Sequence, residues 1–444
     1  MMSGVTSDRK KGVGWRILAI IRIPVILILI FYGSLVIVYC IPSRTMVNNV
    51  SKSCDIISRE GIYPHAYTDG HRYDNFTVAL MLNTALKRKK NPFVAAIQAS
   101  YCSGVDQIDG LHRAISGEDG DIPYPRYWHG YLIFLKPVLV LLNIYQIRLL
   151  CQAITLLLLM LISIELKGQF GAFGMWVASA LALSWGIYSG MSASVTLPLF
   201  PSFVISLSAG IYVLKFCQLR KFESMKLFFV IGGVTVYFDF LDNPILTLGL
   251  PLCMLILKMF FAWKDKPEKQ SIILTLICCV FWCSGYGIMW ASKWILSLLI
   301  FGPSALADVK NAVKFRLGHG EVSEKYRSTP YSAIRKNMME AGRFRVMILA
   351  GIAVACVVFA IFLLSFLIRL KRVKVESKII STCFLLGIVS LFPFAWYAVL
   401  NNHSQLHAEI IAFRNLLLTM FAGLLLLGFL FDSIKKELKK HVKK

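Results

Sequence analysis

The feature that most constrains this chain is a succession of apolar runs, each of roughly 18 residues or more, separated by short basic segments. A helix of that length crosses the ~30 Å hydrocarbon core of a bilayer, and within lipid a helix is the simplest way to satisfy every backbone N–H and C=O. Ten spans are predicted, at 17–41, 148–166, 171–190, 197–215, 227–240, 244–263, 272–300, 346–368, 379–400 and 409–432. The split inside 227–261 rests on Asp239, Asp242 and Pro244, which interrupt an otherwise continuous run. With 57% hydrophobic and 16% charged residues over 444 positions, the fold class is an all-α polytopic membrane protein. The first run follows a basic segment, but it is too long for the core of a signal peptide and no small-residue cleavage site follows. It is therefore expected to remain as a helix.

A net charge of +24 raises nucleic acid as a partner, yet no nucleic-acid motif accompanies it. Lysine and arginine instead collect in the segments 1–16, 215–226, 258–270, 369–378 and 432–444, and the positive-inside rule then assigns both termini to the cytoplasm. Two long segments, 42–147 and 301–343, fall outside together with the short turns 191–196, 239–243 and 401–408. The chain thus forms one membrane domain with two large extracytoplasmic loops and a basic tail at 433–444. Most of the eleven cysteines lie in apolar runs as small buried hydrophobes, whereas Cys54 and Cys102 share the first loop, where an oxidising compartment would permit a disulfide.

Polar residues with chemical potential gather at that outer face. Asp74 opens the stretch 74–87, which has helical apolar spacing and predicts an amphipathic helix that Asp74 would cap, with Asn75 and Thr77 beside it. Asp69-Gly70 has the composition of a turn. The segment 131–142, apolar but only about twelve residues long, predicts an interfacial helix. In 401–407, His403 and His407 are four residues apart and share a face if helical, which suits phosphate or sugar contact; zinc would require further ligands that are not in the pattern. Arg414 lies within an apolar run, where a charge is costly unless used or paired, and Glu409 is its expected structural partner. Asp239-Phe240-Leu241-Asp242-Asn243-Pro244 reads either as a helix-ending turn with Asx capping or as a pair of sugar-contacting acids. Lys314 and Arg316, beside Gly318-His319-Gly320, form the tightest cationic cluster of the second loop. Trp290, Lys293 and Trp294 read as interfacial anchors.

The stretch Arg126-Tyr127-Trp128-His129-Gly130-Tyr131 leads into the short helix, and Asn143 to Arg148 brings an arginine to the mouth of the next span. This order of a large first loop, a His-initiated interfacial helix and an arginine before the second span resembles the GT-C superfamily of membrane glycosyltransferases, most directly over 17–166. The resemblance implies a polyprenyl-phosphate-linked sugar as donor, an extracytoplasmic glycan or protein as acceptor, and a catalytic acid in the first loop. That acid is open among Asp55, Asp69 and Asp74, because the loop lacks the family's acidic pair just after the first helix and its His-Pro-Pro is here His129-Gly130-Tyr131. Asp74 best suits a general base and Asp69 is its alternate. Arg148, His403, His407 and Arg414 would hold phosphate or orient sugar, Asp239 and Asp242 would contact sugar hydroxyls, and His129 would shape the donor pocket.

No nucleotide-binding motif is present and no cofactor is indicated, although the acidic turn leaves room for a divalent cation. Two other classes share this plan: a transporter or lipid flippase, and a non-catalytic membrane partner in envelope assembly. The discriminating observation is whether the outer acids and cations meet in space.

Overall fold

The computed structural model describes residues 22–65, 72–86, 91–188, 197–239, 241–263, 266–319, 327–342 and 376–442. The described residues are helical without a named strand; only two isolated bridges occur, His65 with Arg72 and Tyr101 with Ile122. Among the described residues, six helices are long and apolar enough to cross a membrane: Arg22–Tyr39 (α1), Ile144–Tyr188, Pro244–Ala262, Glu268–Phe301, Ser377–Val399 and Ala412–Lys435. Their outward positions, such as Leu29, Ile37, Leu157 and Ile164, are exposed leucines and isoleucines, as a lipid-facing surface requires. The expected span at 346–368 lies outside the described residues.

The 45-residue Ile144–Tyr188 helix covers two of the expected spans, because it breaks at Gly171 (φ 56°, ψ −127°). A Cβ on Gly174 would fall 1.9 Å from the Leu166 carbonyl oxygen, so the chain folds back on itself after the break. The expected spans at 197–215 and 227–240 are the helices Phe200–Phe216 and Lys221–Phe238. The first is short for a crossing, and the second carries three charges, Lys221, Glu223 and Lys226, at its start. The expected span at 379–400 is a pair of helices, Ser377–Ser390 and Phe392–Val399, divided where Pro393 removes a backbone donor.

Pro244–Ala262 is buried along nearly its whole length and forms the centre of the bundle. Lys221–Phe238 and Glu268–Phe301 approach closely through glycines: a Cβ on Gly285 would lie 2.0 Å from the Phe229 carbonyl oxygen, and one on Gly232 would lie 2.1 Å from that of Trp282. In a bilayer, where burying leucine against leucine gains little over lipid, such small-residue contacts supply packing that side chains would prevent.

The first loop is folded rather than extended. It comprises Val47–Glu60 (α2), Asn75–Ala85 (α3), Pro92–Gln98 (α4), Gln107–Ser116 (α5) and Leu132–Leu139 (α6). The helix expected after Asp74 forms as α3, but it is buried on almost every side instead of being amphipathic, since helices on both sides cover it. Cys54 and Cys102 are both free: the Cys54 sulfur is 3.5 Å from His112 Nε2, and Cys102 donates to the Glu118 carbonyl, so no disulfide joins them.

Glu268–Phe301 is about 51 Å long at 1.5 Å per residue, well beyond the bilayer core. Its far end holds the loop in place. Trp290 and Trp294 donate from their indole nitrogens to the Arg126 carbonyl at 2.9 and 3.1 Å, and Trp128 donates to the Met289 carbonyl at 2.7 Å. Lys293 is fully buried and donates to the Ala96 and Ile97 carbonyls at the C-terminal end of α4, with its ammonium over the Trp128 ring. Trp290, Lys293 and Trp294 thus fasten the loop to the bundle, rather than anchoring the helix at a lipid surface.

Candidate functional site

Four connections meet at one end of the bundle: the first loop, the 239–243 turn, the segment after Phe301, and the segment between Val399 and Ala412. They enclose a cavity of about 490 Å³ lined by Asp74, Asp242, Arg316, His403 and His407, with Tyr63, Tyr124 and Tyr127 as aromatic walls and Arg72 and Glu409 at its edge. Polar residues singled out from sequence in four separate segments therefore do meet.

Asp74 is the N-cap of α3. Its Oδ1 accepts from the Thr77 backbone N–H at 2.9 Å and its Oδ2 from the Thr77 hydroxyl at 2.6 Å. Burial pushes its carboxyl up from the usual range, and the two Thr77 hydrogen bonds oppose that shift. Capping and lining the cavity are thus simultaneous.

Asp239 and Asp242 have different tasks. Asp239 accepts from the backbone N–H groups of Leu241 and Asp242, both at 3.0 Å, and closes an Asx turn in which Leu241 takes a positive φ of 73°. Asp239 holds the turn and is not among the cavity-lining residues. Asp242, presented by that turn, is 6% exposed, and its Oδ2 is buried with no hydrogen-bond partner among the described residues. Burial first, then the neighbouring Asp239 and Asp74 carboxylates, push its carboxyl far above the usual range, against the pull of Arg316. A buried carboxyl oxygen without a partner is costly to maintain, and a carboxyl so placed beside a cavity is suited to exchanging a proton.

Arg316 ends the helix Ser304–Arg316 (α12) within the second loop. It hydrogen-bonds the Tyr127 hydroxyl and the Ala312 carbonyl, its guanidinium lies 5.5 Å from the Tyr127 ring centroid, and its Nε has no partner among the described residues. The cationic cluster of the second loop was visible in sequence. Which member reached the site was not, because that depends on where α12 ends and how it docks.

His403 and His407 do share a face: their ring centroids are 4.6 Å apart, and His403 Nε2 is 2.9 Å from the Leu241 carbonyl. Burial lowers both. His403, also affected by His407 and Arg316, falls well below the usual imidazole range, and His407, beside Arg316, falls to about 4. Both are therefore neutral near pH 7 and offer directional hydrogen bonds rather than charge. Among the described residues no group of three or more His, Cys, Asp or Glu is arranged to hold a metal ion.

The other sequence-derived candidates fall elsewhere. Arg148 forms a two-pronged pair with Glu60 at 2.7 and 2.9 Å and donates to Asn75 Oδ1 at 2.8 Å, and the Asn75 amide donates back to Glu60. It therefore ties α2, α3 and the second span together just behind Asp74. His129, at φ 61°, packs against Tyr124 and Tyr131 with its Nε2 2.8 Å from the Tyr124 carbonyl, shaping the turn that carries the cavity's tyrosines. The adjacent Gly130 is fitted against Tyr237, whose carbonyl accepts from the Gly130 N–H at 2.8 Å; a Cβ there would lie 2.4 Å from the Tyr237 ring. Arg414 is fully buried and donates to the Ile410 carbonyl in the turn before it and to the Tyr188 carbonyl. Its expected partner Glu409 instead meets Arg72 at 3.4 Å and Lys336 at 3.3 Å. Asp55 is exposed on α2, and Asp69 lies outside the described residues. Sequence reasoning gave no signal for Tyr63, Tyr124 or Tyr127 as cavity walls, since aromatics in a folded loop read first as core.

Comparison with known proteins finds no protein-family model, no curated protein and no solved structure that matches the chain.

Proposed function

We propose that this protein is a GT-C-like membrane glycosyltransferase that moves a sugar from a polyprenyl-phosphate carrier to an acceptor on the extracytoplasmic side. The observation that carries the proposal is the convergence of Asp74, Asp242, Arg316, His403 and His407 on one cavity at the end of a membrane bundle. Those groups match the needs of glycosyl transfer. An acceptor hydroxyl attacks the anomeric carbon and gives up its proton; the bond from that carbon to the carrier phosphate breaks, and the phosphate departs with the electron pair. Asp242, at the cavity wall, receives the proton in its ionised form, so turnover is expected to rise with pH through its raised folded value. Asp74, with both oxygens occupied by Thr77, orients the acceptor and sets the field around Asp242. Arg316 stabilises the departing phosphate, and the neutral histidines hydrogen-bond sugar hydroxyls.

Among the buried cations elsewhere, Lys136, Lys293 and Arg414 donate to backbone carbonyls instead of lining a path across the bundle, which weighs against a transporter. The test is transfer from a panel of radiolabelled polyprenyl-phosphate sugars in proteoliposomes. Asp242→Asn is expected to lower turnover by roughly 10²–10⁴-fold with substrate binding retained. Transfer that survives both Asp242→Asn and Asp74→Asn would overturn the assignment of roles. Absence of transfer from every donor, with labelled lipid crossing the bilayer instead, would overturn the enzyme in favour of a flippase.

A further inference from the structure

A second cavity lies in another part of the bundle, between Phe200–Phe216 (α8) and Lys221–Phe238 (α9). It is a fissure of about 990 Å³. The fissure exists because the two helices are drawn to different neighbours. Gly210 of α8 faces Ile162, Leu250 and Met254, and Gly232 of α9 faces Trp282. The opposing faces are left apart. Val204, Ser208 and Tyr212 on one side and Leu227, Val230 and Val234 on the other form mostly apolar walls at helical spacing. The end near the α8–α9 connection is cationic: Arg220 and Lys226 line it, with Lys215 and Lys221 beside them, against the single acid Glu223, which pairs with Lys226 at 2.8 Å. Arg220 has no acidic partner among the described residues.

We propose that this fissure binds an anionic phospholipid of the membrane, one acyl chain along the apolar walls and the phosphate at Arg220 and Lys226. Charge complementarity selects the headgroup: a zwitterionic lipid would bring its own cation to a mouth that already carries four. The α9 helix puts about 27 Å between this mouth and the 239–243 turn, nearly the thickness of the hydrocarbon core. A lipid seated here has its phosphate in the leaflet opposite the Asp242 cavity, so it is not the sugar donor. The inference stands without the glycosyl-transfer reading.

The test is thermal unfolding of the full-length protein in detergent with added phosphatidylglycerol, phosphatidylcholine or glycerol phosphate, with native mass spectrometry counting bound lipid. Phosphatidylglycerol is expected to raise the unfolding temperature and to bind roughly tenfold more tightly than phosphatidylcholine, a difference of about 1.4 kcal/mol. Glycerol phosphate should do neither. The double substitution Arg220→Gln with Lys226→Gln is at an exposed mouth and should leave lipid-free unfolding unchanged while erasing the preference. Val230→Trp, which fills the fissure, should reduce binding of both lipids. Equal binding of the two lipids to the unaltered protein, a preference that survives the double substitution, or a matching effect of glycerol phosphate would each overturn the proposal.

Discussion

At the scale of single residues, the site is made distinct by which polar atoms are left without partners. Asp74, Asp239 and Asp242 are all buried acids near one turn, yet only Asp242 keeps an oxygen free. A hydrophobic carbodiimide, which adds to protonated carboxyls in apolar surroundings, is therefore expected to label Asp242 and to spare Asp74 and Asp239. Because burial raises the Asp242 carboxyl, labelling should extend to higher pH than for an ordinary carboxyl and fall as pH rises through its folded value. Peptide mass mapping reads this directly, and labelling of Asp74 with Asp242 untouched would contradict it. His407 gives a prediction of opposite sign. It is held to about 4 in the fold against about 6.5 when unfolded, so the unfolded chain binds the extra proton between those values. Stability contributed by its neutral form is complete above pH 6.5 and is lost as pH falls towards 4. The residue is of intermediate exposure at the cavity edge, so water there moderates the cost, and the loss should be roughly 1–3 kcal/mol. His407→Gln should unfold with a flatter pH dependence across that window, measured by thermal unfolding in detergent. An unchanged slope would assign the acid sensitivity to other groups.

At the scale of elements, the loop is held by bonds that sequence ranks as functional. The Arg148–Glu60–Asn75 cluster joins α2, α3 and the second span immediately behind Asp74. Glu60 is partly exposed and Arg148 is nearly buried, so Arg148→Met is expected to cost about 1.5–3 kcal/mol, less than a fully buried pair. Arg148→Lys, which keeps the charge but loses the two-pronged geometry, should recover only part of that. Full activity with unaltered stability in Arg148→Met would argue that the cluster does not support the loop. The α9 contact with Glu268–Phe301 depends on absent side chains, so Gly285→Val should reduce folded yield and cost about 1–3 kcal/mol or more through overpacking. Gly186, exposed on the outer face of its helix with no neighbour within 4 Å of a Cβ, is the matched control and should tolerate the same change.

At the scale of the whole molecule, membrane sidedness should separate two sets of positions. Single cysteines at Asp119, in the first loop, and Leu219, in the α8–α9 connection, are expected to react with a membrane-impermeant thiol reagent from opposite sides of sealed vesicles, with native cysteines replaced. Labelling from the same side would require the bundle to be rethreaded. The sequence by itself determined that the chain crosses membranes as helices, because a run of apolar residues must find lipid or a core wherever it sits. It also marked Pro244 as a break, because proline acts on the local backbone, whereas the break at Gly171 emerged only in the structure. Asp74, Asp242, His403 and His407 were legible as candidates since polar groups are sparse at the ends of apolar runs. Only the tertiary structure decided their division of labour. Arg148 and Arg414 carry the same guanidinium as Arg316, but the first meets a carboxylate, the second meets backbone carbonyls, and the third borders the cavity. The same holds for Lys293, whose burial depends on α4 docking 196 residues away in sequence. Whether a charge is spent on structure or left for chemistry depends on which acceptors lie within about 3 Å of it. That distance is fixed by long-range packing, to which local sequence contributes only one side.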